Sequence, residues 1–147
     1  MIDLSGKKLS IEISSNLDDV KKKINLVLEK LGRTIKDDDI IFEIRTILTE
    51  LVINGAVHGN LLDENKKVYL DIIMEDEYMT ICVRDEGIGF EYCLDSYNVF
   101  DMKSSGRGLL MVSGLSDELS IENNEVHVRK KLKKDEYFDE HNISQTC

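Results

Sequence analysis

A polar stripe runs along an otherwise apolar segment of the chain. Residues 44–57 place Ile, Leu, Val and Ala on nearly all sides of a predicted helix, yet Glu50, Asn54 and His58 recur at intervals of four. Side chains four apart share one helix face, so these polar groups should line up. A buried carboxylate or amide needs a compensating partner. The stripe therefore faces either solvent or a ligand, a metal ion or a polar network.

A second polar group follows a predicted strand. The string DEGIG has the pattern DxGxG and lies where the strand at 78–84 gives way to a loop. Gly87 and Gly89 permit a positive φ and a close backbone approach to a ligand. The carboxylate of Asp85 can accept a hydrogen bond from an exocyclic amine such as that of adenine. The competing interpretation is a plain tight turn.

A pair of glycines precedes a later apolar helix. Gly106 and Gly108 flank Arg107, directly before the segment LLMVSGL. The unpaired N–H groups and the positive dipole end of a helix start suit a phosphate group, and Arg107 adds a cation. An exposed arginine at an ordinary turn is the alternative. The P-loop pattern GxxxxGK[ST] is absent from the sequence.

Hydrophobic periodicity predicts the elements that must position these motifs. Alternation predicts strands, and a spacing of three to four predicts helices that end near glycine. Hairpin-paired strands with helices on one face predict an α+β, two-layer sandwich with a mixed, mostly antiparallel sheet. The predicted elements are a strand at 7–14, helices at 20–31 and from the acidic run 37–39 to about 59, strands at 67–74 and 78–84, a helix at about 107–115, and strands at 118–122 and 125–132.

Composition limits the kind of protein. The 147 residues are 41% hydrophobic and 33% charged, which fits a single domain over 1–147 with a polar C-terminal tail at 133–147. The basic run at 129–134 is interpreted as a solvated strand end. A net charge of −10 argues against a nucleic-acid partner. Three cysteines without CxxC spacing and no apolar stretch of about 18 residues predict a cytoplasmic protein with no membrane partner.

In this order, ExxxN, DxGxG and GxG resemble the N, G1 and G2 boxes of the GHKL superfamily, the histidine kinase-like ATPases. The strings ELVINGAVHGN and GRGLLMVSGLSDEL, with the chain length, resemble more closely the anti-sigma-factor serine/threonine-protein kinases of that superfamily. The likeness covers about residues 8–132. It implies an ATP lid at 90–105, although lids of this family often contain proline and this one contains none.

The resemblance implies a role for each motif. Asn54 would be the Mg²⁺ ligand, Glu50 the base acting on the attacking group, and Asp85 the carboxylate that reads adenine. A single protein ligand suffices for Mg²⁺, which keeps several waters and takes phosphate oxygens. The remaining residues of the ATP site would be His58, Gly87, Gly89, Gly106, Arg107 and Gly108.

The implied function is that of an ATP-dependent protein serine kinase and anti-sigma factor. Such a protein phosphorylates a small antagonist, the anti-anti-sigma protein, and sequesters a sigma factor. The alternative is a non-catalytic, nucleotide-gated module that only sequesters a regulatory partner. A sensor-kinase fragment is disfavoured because no helical pair with a phosphoacceptor histidine precedes the motifs. A plain α+β domain remains a further option, and the sequence leaves open whether the chain forms a homodimer.

Overall fold

The computed structural model describes residues 2–3, 8–87 and 104–132, with side chains from 8 to 87 and from 108 to 132. The predicted tail at 133–147 and most of the predicted lid lie outside these ranges. In chain order, the elements are β1 (Ile2–Asp3), β2 (Lys8–Ser14), α1 (Leu17–Leu31), α2 (Asp38–Asn54), a π-helix (Gly55–Gly59), β3 (Lys67–Glu75), β4 (Tyr78–Arg84), α3 (Ser104–Leu115), β5 (Glu118–Glu122) and β6 (Glu125–Lys131).

The strands form one six-stranded sheet in the order β1-β2-β3-β4-β6-β5. The expectation of a mixed sheet needs correction, because all five pairings among the described residues are antiparallel. Hairpins and short connections join most neighbouring strands, which favours antiparallel pairing. The register aligns one apolar row across five strands: Leu9, Ile72, Ile81, Val128 and Leu119.

Polar side chains fix where the first two helices begin. The Asn16 side chain accepts hydrogen bonds from the backbone N–H groups of Asp18 and Asp19, at 2.8 and 3.2 Å. Asp37 caps α2 in the same way. These caps satisfy N–H groups that have no partner within the helix. Helix α1 therefore starts at Leu17, before the apolar periodicity that predicted a start at residue 20 becomes visible.

The helices cover one face of the sheet. Val68, Leu70 and Ile72 of β3 alternate as fully buried residues and pack in one core with Ile44 and Leu48 of α2. The α+β class with helices on one face is thereby confirmed. No helix in the described ranges is long and apolar enough to cross a membrane.

Two helix boundaries differ from the sequence prediction. Helix α2 was expected to run regularly to about Gly59, but it widens after Asn54 into the π-helix, where the N–H of Asn60 reaches the carbonyl of Gly55 at 2.8 Å. Helix α3 begins at Ser104 instead of about Arg107. Its first turn carries no apolar residues, so the hydrophobic pattern could not reveal it.

Lys130 corrects the interpretation of the basic run as a solvated strand end. It shares the inner face of β6 with Val126 and Val128 and is 6% exposed. Its Nζ lies 3.2 Å from Oε2 of Glu43 and donates to the carbonyl of Leu115 at 2.8 Å. A buried ammonium group needs such partners. Lys130 therefore ties β6 to α2 and to the last residue of α3.

Candidate functional site

The polar stripe of α2 is only partly exposed to solvent. Asn54 is buried at 8% exposure and Glu50 is half-buried, whereas His58 is exposed. Glu50 and Asn54 lie one regular turn apart, but His58 follows in the wider π-helix and leaves that alignment. Single π-helical turns are frequent at functional sites. The solvent-facing interpretation thus fits His58 and does not fit Asn54.

Asn54 presents an unpaired donor. Among the described residues, its Nδ2 is the one buried side-chain nitrogen or oxygen atom without a hydrogen-bond partner. An orphaned polar atom costs about 1–3 kcal/mol unless a ligand or water meets it. Rotation about χ2 exchanges the amide nitrogen with the oxygen, so the same group can offer a donor or a hard oxygen ligand. The Asn54 amide therefore fits a polar ligand or a hydrated Mg²⁺ ion.

Asp85 is a buried carboxylate with one oxygen in use. It follows β4, is 6% exposed, and accepts the backbone N–H of Gly87 on Oδ1 at 2.7 Å. No described residue donates to Oδ2. Burial raises the pKa of Asp85, and the N–H of Gly87 offsets part of that rise. One acceptor oxygen is thus left for an amine donor.

Close glycine contacts bring Asp85 to the end of α2. A Cβ atom added to Gly59 would overlap the carboxylate of Asp85, and one added to Gly87 would overlap the carbonyl of Gly59. A Cβ on Gly55 would lie 3.5 Å from Cβ of Asp85. The loop after β4 therefore packs directly on the π-helix that follows Asn54.

A third close contact brings α3 to Glu50. A Cβ atom on Gly108 would overlap Oε2 of Glu50, so the carboxylate lies against the backbone of α3. Gly106 and Arg107 belong to the first turn of α3, and the Arg107 side chain lies outside the described part of the chain. Gly106 and Gly108 were expected to precede the helix, but both lie inside α3. The unpaired N–H groups at the start of α3 belong to residues 104–107. Gly89 also lies outside the described residues.

Asn60 holds this arrangement together and was not among the predicted site residues. It is fully buried, and its Nδ2 donates to Oγ of Ser15 and to the carbonyl of Lys67, both at 2.9 Å. Its Oδ1 accepts the N–H of Glu86 at 2.7 Å. One amide thereby links the end of α2 to β3 and to the loop that carries Asp85.

Two further residues of the site were missed. Gly59 lies within the string ELVINGAVHGN but had no predicted role, and Asn124 lies between the strands predicted at 118–122 and 125–132. The side chain of Asn124 donates to the carbonyl of Asp85, and its own carbonyl accepts the N–H of Asp85 at 3.1 Å. Two asparagines were the available signals in the sequence. Asn60 comes directly after a helix, and Asn124 comes directly before β6.

The pKa of Asp85 predicts a pH-dependent stability difference. Because the folded pKa lies above its ordinary value of 3.8, folding favours the protonated acid, and this contribution is lost as the pH rises from 3.8 through the folded pKa. Asp85→Asn cannot titrate. We expect its free energy of unfolding to rise relative to the native protein over that range, measured by urea unfolding at a series of pH values.

Asp63→Asn is the matched control for this prediction. Asp63 is exposed, and its Oδ1 accepts the N–H of Asn65 two residues on at 2.9 Å, the same local bond that Asp85 makes with Gly87. Its substitution removes the charge from the same local hydrogen bond at an exposed position, so the comparison isolates the effect of burial at Asp85. A pH-independent difference for Asp85→Asn would contradict the role of burial.

Comparison with known proteins assigns the chain to a family. Residues 13–131 match the histidine kinase-like ATPase domain, so the chain belongs to that family.

The chain is 26% identical to the Anti-sigma F factor of Oceanobacillus iheyensis over 106 residues, 65% of this chain and 73% of that protein. It is 27% identical to the Anti-sigma F factor of Bacillus thuringiensis over 131 residues, 82% and 87% of the two chains. A third relative, the Anti-sigma F factor of Geobacillus thermodenitrificans, is 29% identical over 89 residues, 57% and 61% of the two chains. The resemblance predicted from the motifs is confirmed.

Proposed function

We propose that this protein is a cytoplasmic, Mg-ATP-dependent protein serine kinase that also acts as an anti-sigma factor. It would phosphorylate a small antagonist protein and sequester a sigma factor. Membership of the histidine kinase-like ATPase family supports the use of ATP. The names of the relatives support the sigma-factor partner. The net charge of −10 supports a protein partner over nucleic acid.

The observation that carries this proposal is the buried amide of Asn54, whose nitrogen has no hydrogen-bond partner among the described residues. It lies between Glu50, one turn earlier on α2, and the π-helix that packs against Asp85. A polar atom in this position is compensated when a nucleotide and its metal ion bind. The donor set fits Mg²⁺, because a neutral amide oxygen is a hard ligand and the ion keeps most of its waters.

The described residues suggest a separate role for each side chain of the site. Asp85 would accept the exocyclic amine of adenine on its free oxygen, and Asn54 would hold the metal. Bound Mg²⁺ would supply charge neutralisation on the phosphates. Glu50 would accept the proton of the serine hydroxyl as the serine oxygen bonds to the γ-phosphorus and the bond to the ADP oxygen breaks. The N–H groups at the start of α3, about one turn before Gly108, would stabilise phosphate charge.

Nucleotide selectivity tests the binding half of this proposal. ATP and ADP should bind in a Mg²⁺-dependent way, and GTP should bind more weakly. Of the two bases, only adenine carries an exocyclic amine at the position that would face the carboxylate of Asp85. Asp85→Asn should weaken ATP binding about tenfold or more, since a buried hydrogen bond to a charged acceptor is lost. Isothermal titration calorimetry measures both effects, with Asp63→Asn as the control. If GTP binds as tightly as ATP, Asp85 does not recognise adenine.

The catalytic half is tested with candidate antagonist proteins. The purified protein, incubated with Mg-ATP and each candidate, should place phosphate on a serine of one of them. Phosphopeptide mass spectrometry identifies that residue. A protein that binds ATP and a partner but never transfers phosphate would favour the nucleotide-gated binding module instead.

A further inference from the structure

Three metal-ligating side chains converge on the face of the sheet that the helices leave uncovered. Cys82 of β4 and Glu125 and His127 of β6 all alternate outward, opposite to buried neighbours such as Val83 and Val126. Cys82 and His127 are direct cross-strand partners in the register. One ligand atom from each of the three residues lies within 4.8 Å of the others.

The distances in this cluster approach those of a tetrahedral metal site. Sγ of Cys82 lies 3.8 Å from Nε2 of His127, which lies 3.1 Å from Oε2 of Glu125. Tetrahedral bonds of about 2.3 Å to sulfur and about 2.0–2.1 Å to nitrogen and oxygen place these pairs about 3.6 and 3.3 Å apart. These two pairs are each about 0.2 Å from that geometry. The ligand atoms of Cys82 and Glu125 lie within 4.8 Å of each other.

We propose that Cys82, Glu125 and His127 form a binding site for Zn²⁺ on the outer face of the sheet. Thiolate, imidazole and carboxylate are the ligand types that this ion takes in proteins, and a water molecule would complete the tetrahedron. The mixed sulfur and nitrogen set does not suit Mg²⁺ or Ca²⁺, which prefer oxygen ligands. The site is separate from Asn54 and Asp85, which lie on the helix side of the sheet.

The surroundings of the cluster already orient the carboxylate. Oε1 of Glu125 lies 3.8 Å from Nε of Arg84, while Oε2 faces His127. Arg84 in turn stacks over the ring of Tyr69 at 4.2 Å. One oxygen of Glu125 therefore lies near a cation, and the other contacts His127, the second proposed ligand. Outer partners of this kind commonly orient metal ligands.

The thiol is not poised for the chemistry of a reactive cysteine. Burial, followed by the negative charges of Glu125 and Asp71, raises the pKa of Cys82 to about 11, against a smaller opposing effect of Arg84. Reactive cysteines instead have a lowered pKa in electropositive surroundings.

Titration with Co²⁺ tests the site, because a cobalt–thiolate bond gives a visible charge-transfer band. The full-length, chelator-treated protein without nucleotide should bind one Co²⁺ ion with such a band, and Zn²⁺ should displace it. Cys82→Ser should abolish the band. His127→Gln and Glu125→Gln should each weaken binding about tenfold or more, although Cys82 remains present.

The other two cysteines provide matched controls. A variant with both Cys93→Ser and Cys147→Ser should keep the band and the affinity of the native chain. Thermal unfolding without metal, compared among all variants, separates lost ligation from lost folding. The proposal is overturned if no cobalt–thiolate band forms, if the band survives Cys82→Ser, or if it disappears in the variant of the other two cysteines.

Discussion

Glu50→Gln should lower phosphoryl transfer to the antagonist protein by about 10²-fold or more, while ATP affinity stays within a few-fold. The substitution keeps the size and the hydrogen-bonding reach of the side chain but removes its basicity. The carboxylate lies against the backbone of Gly108 in α3, about one turn after the N–H groups that are proposed to stabilise phosphate charge. Single-turnover phosphorylation and calorimetric ATP titration measure the two quantities separately.

Glu29→Gln is the matched control for this substitution. Glu29 lies on α1, is largely exposed, and pairs with Arg33 on the same helix at 3.6 Å. An exposed pair of this kind contributes little to stability, so the variant should transfer phosphate at the native rate. If Glu50→Gln also does so, Glu50 is not the base. If the native chain binds a partner in an ATP-dependent way without transferring phosphate, the binding-module alternative is correct.

Gly59→Ala should weaken ATP binding about tenfold or more and reduce the free energy of unfolding by about 1–3 kcal/mol. The new Cβ atom would overlap the carboxylate of Asp85, which is buried and held on Oδ1 by the N–H of Gly87. The carboxylate must move away from the position proposed for adenine, or the π-helix must shift. Calorimetry reports the affinity, and urea unfolding reports the stability.

Gly114→Ala tests whether the effect is specific to position 59. Gly114 lies in α3, and an added Cβ atom there would meet nothing within 4 Å. The substitution should raise the free energy of unfolding by up to about 1 kcal/mol, because alanine favours the helix. ATP binding should not change. Native-like ATP affinity in Gly59→Ala would show that the close approach of the helix end to Asp85 is not needed.

Local hydrophobic patterns in the sequence were sufficient to predict most of the secondary structure. Strands β3 and β4 place a buried apolar residue at every second position along most of their length, and their bounds agree with the prediction to within one residue. The start of α3 was predicted less well, because its first residues, Ser, Ser and Gly, carry no apolar signal.

The contacts that build the site depend on tertiary structure. The sequence left open whether Asn54 faces solvent, and only the tertiary packing buries it. The bonds that Asn60 makes with Ser15 and with the N–H of Glu86 join segments that are far apart in the chain. No local periodicity encodes such contacts, since they depend on how the end of a helix meets a strand.

The cluster on the outer face of the sheet also could not be predicted from the sequence. Cys82 and His127 are 45 residues apart and come together only through the register of β4 and β6. Alternation predicted which way each strand faces, but it did not predict which residues lie opposite each other. A shift of one residue would turn every side chain of a strand to the other face, and that choice is made by the whole apolar core. The sequence alone therefore determined the elements and the motifs they carry, and the tertiary structure determined which side chains meet.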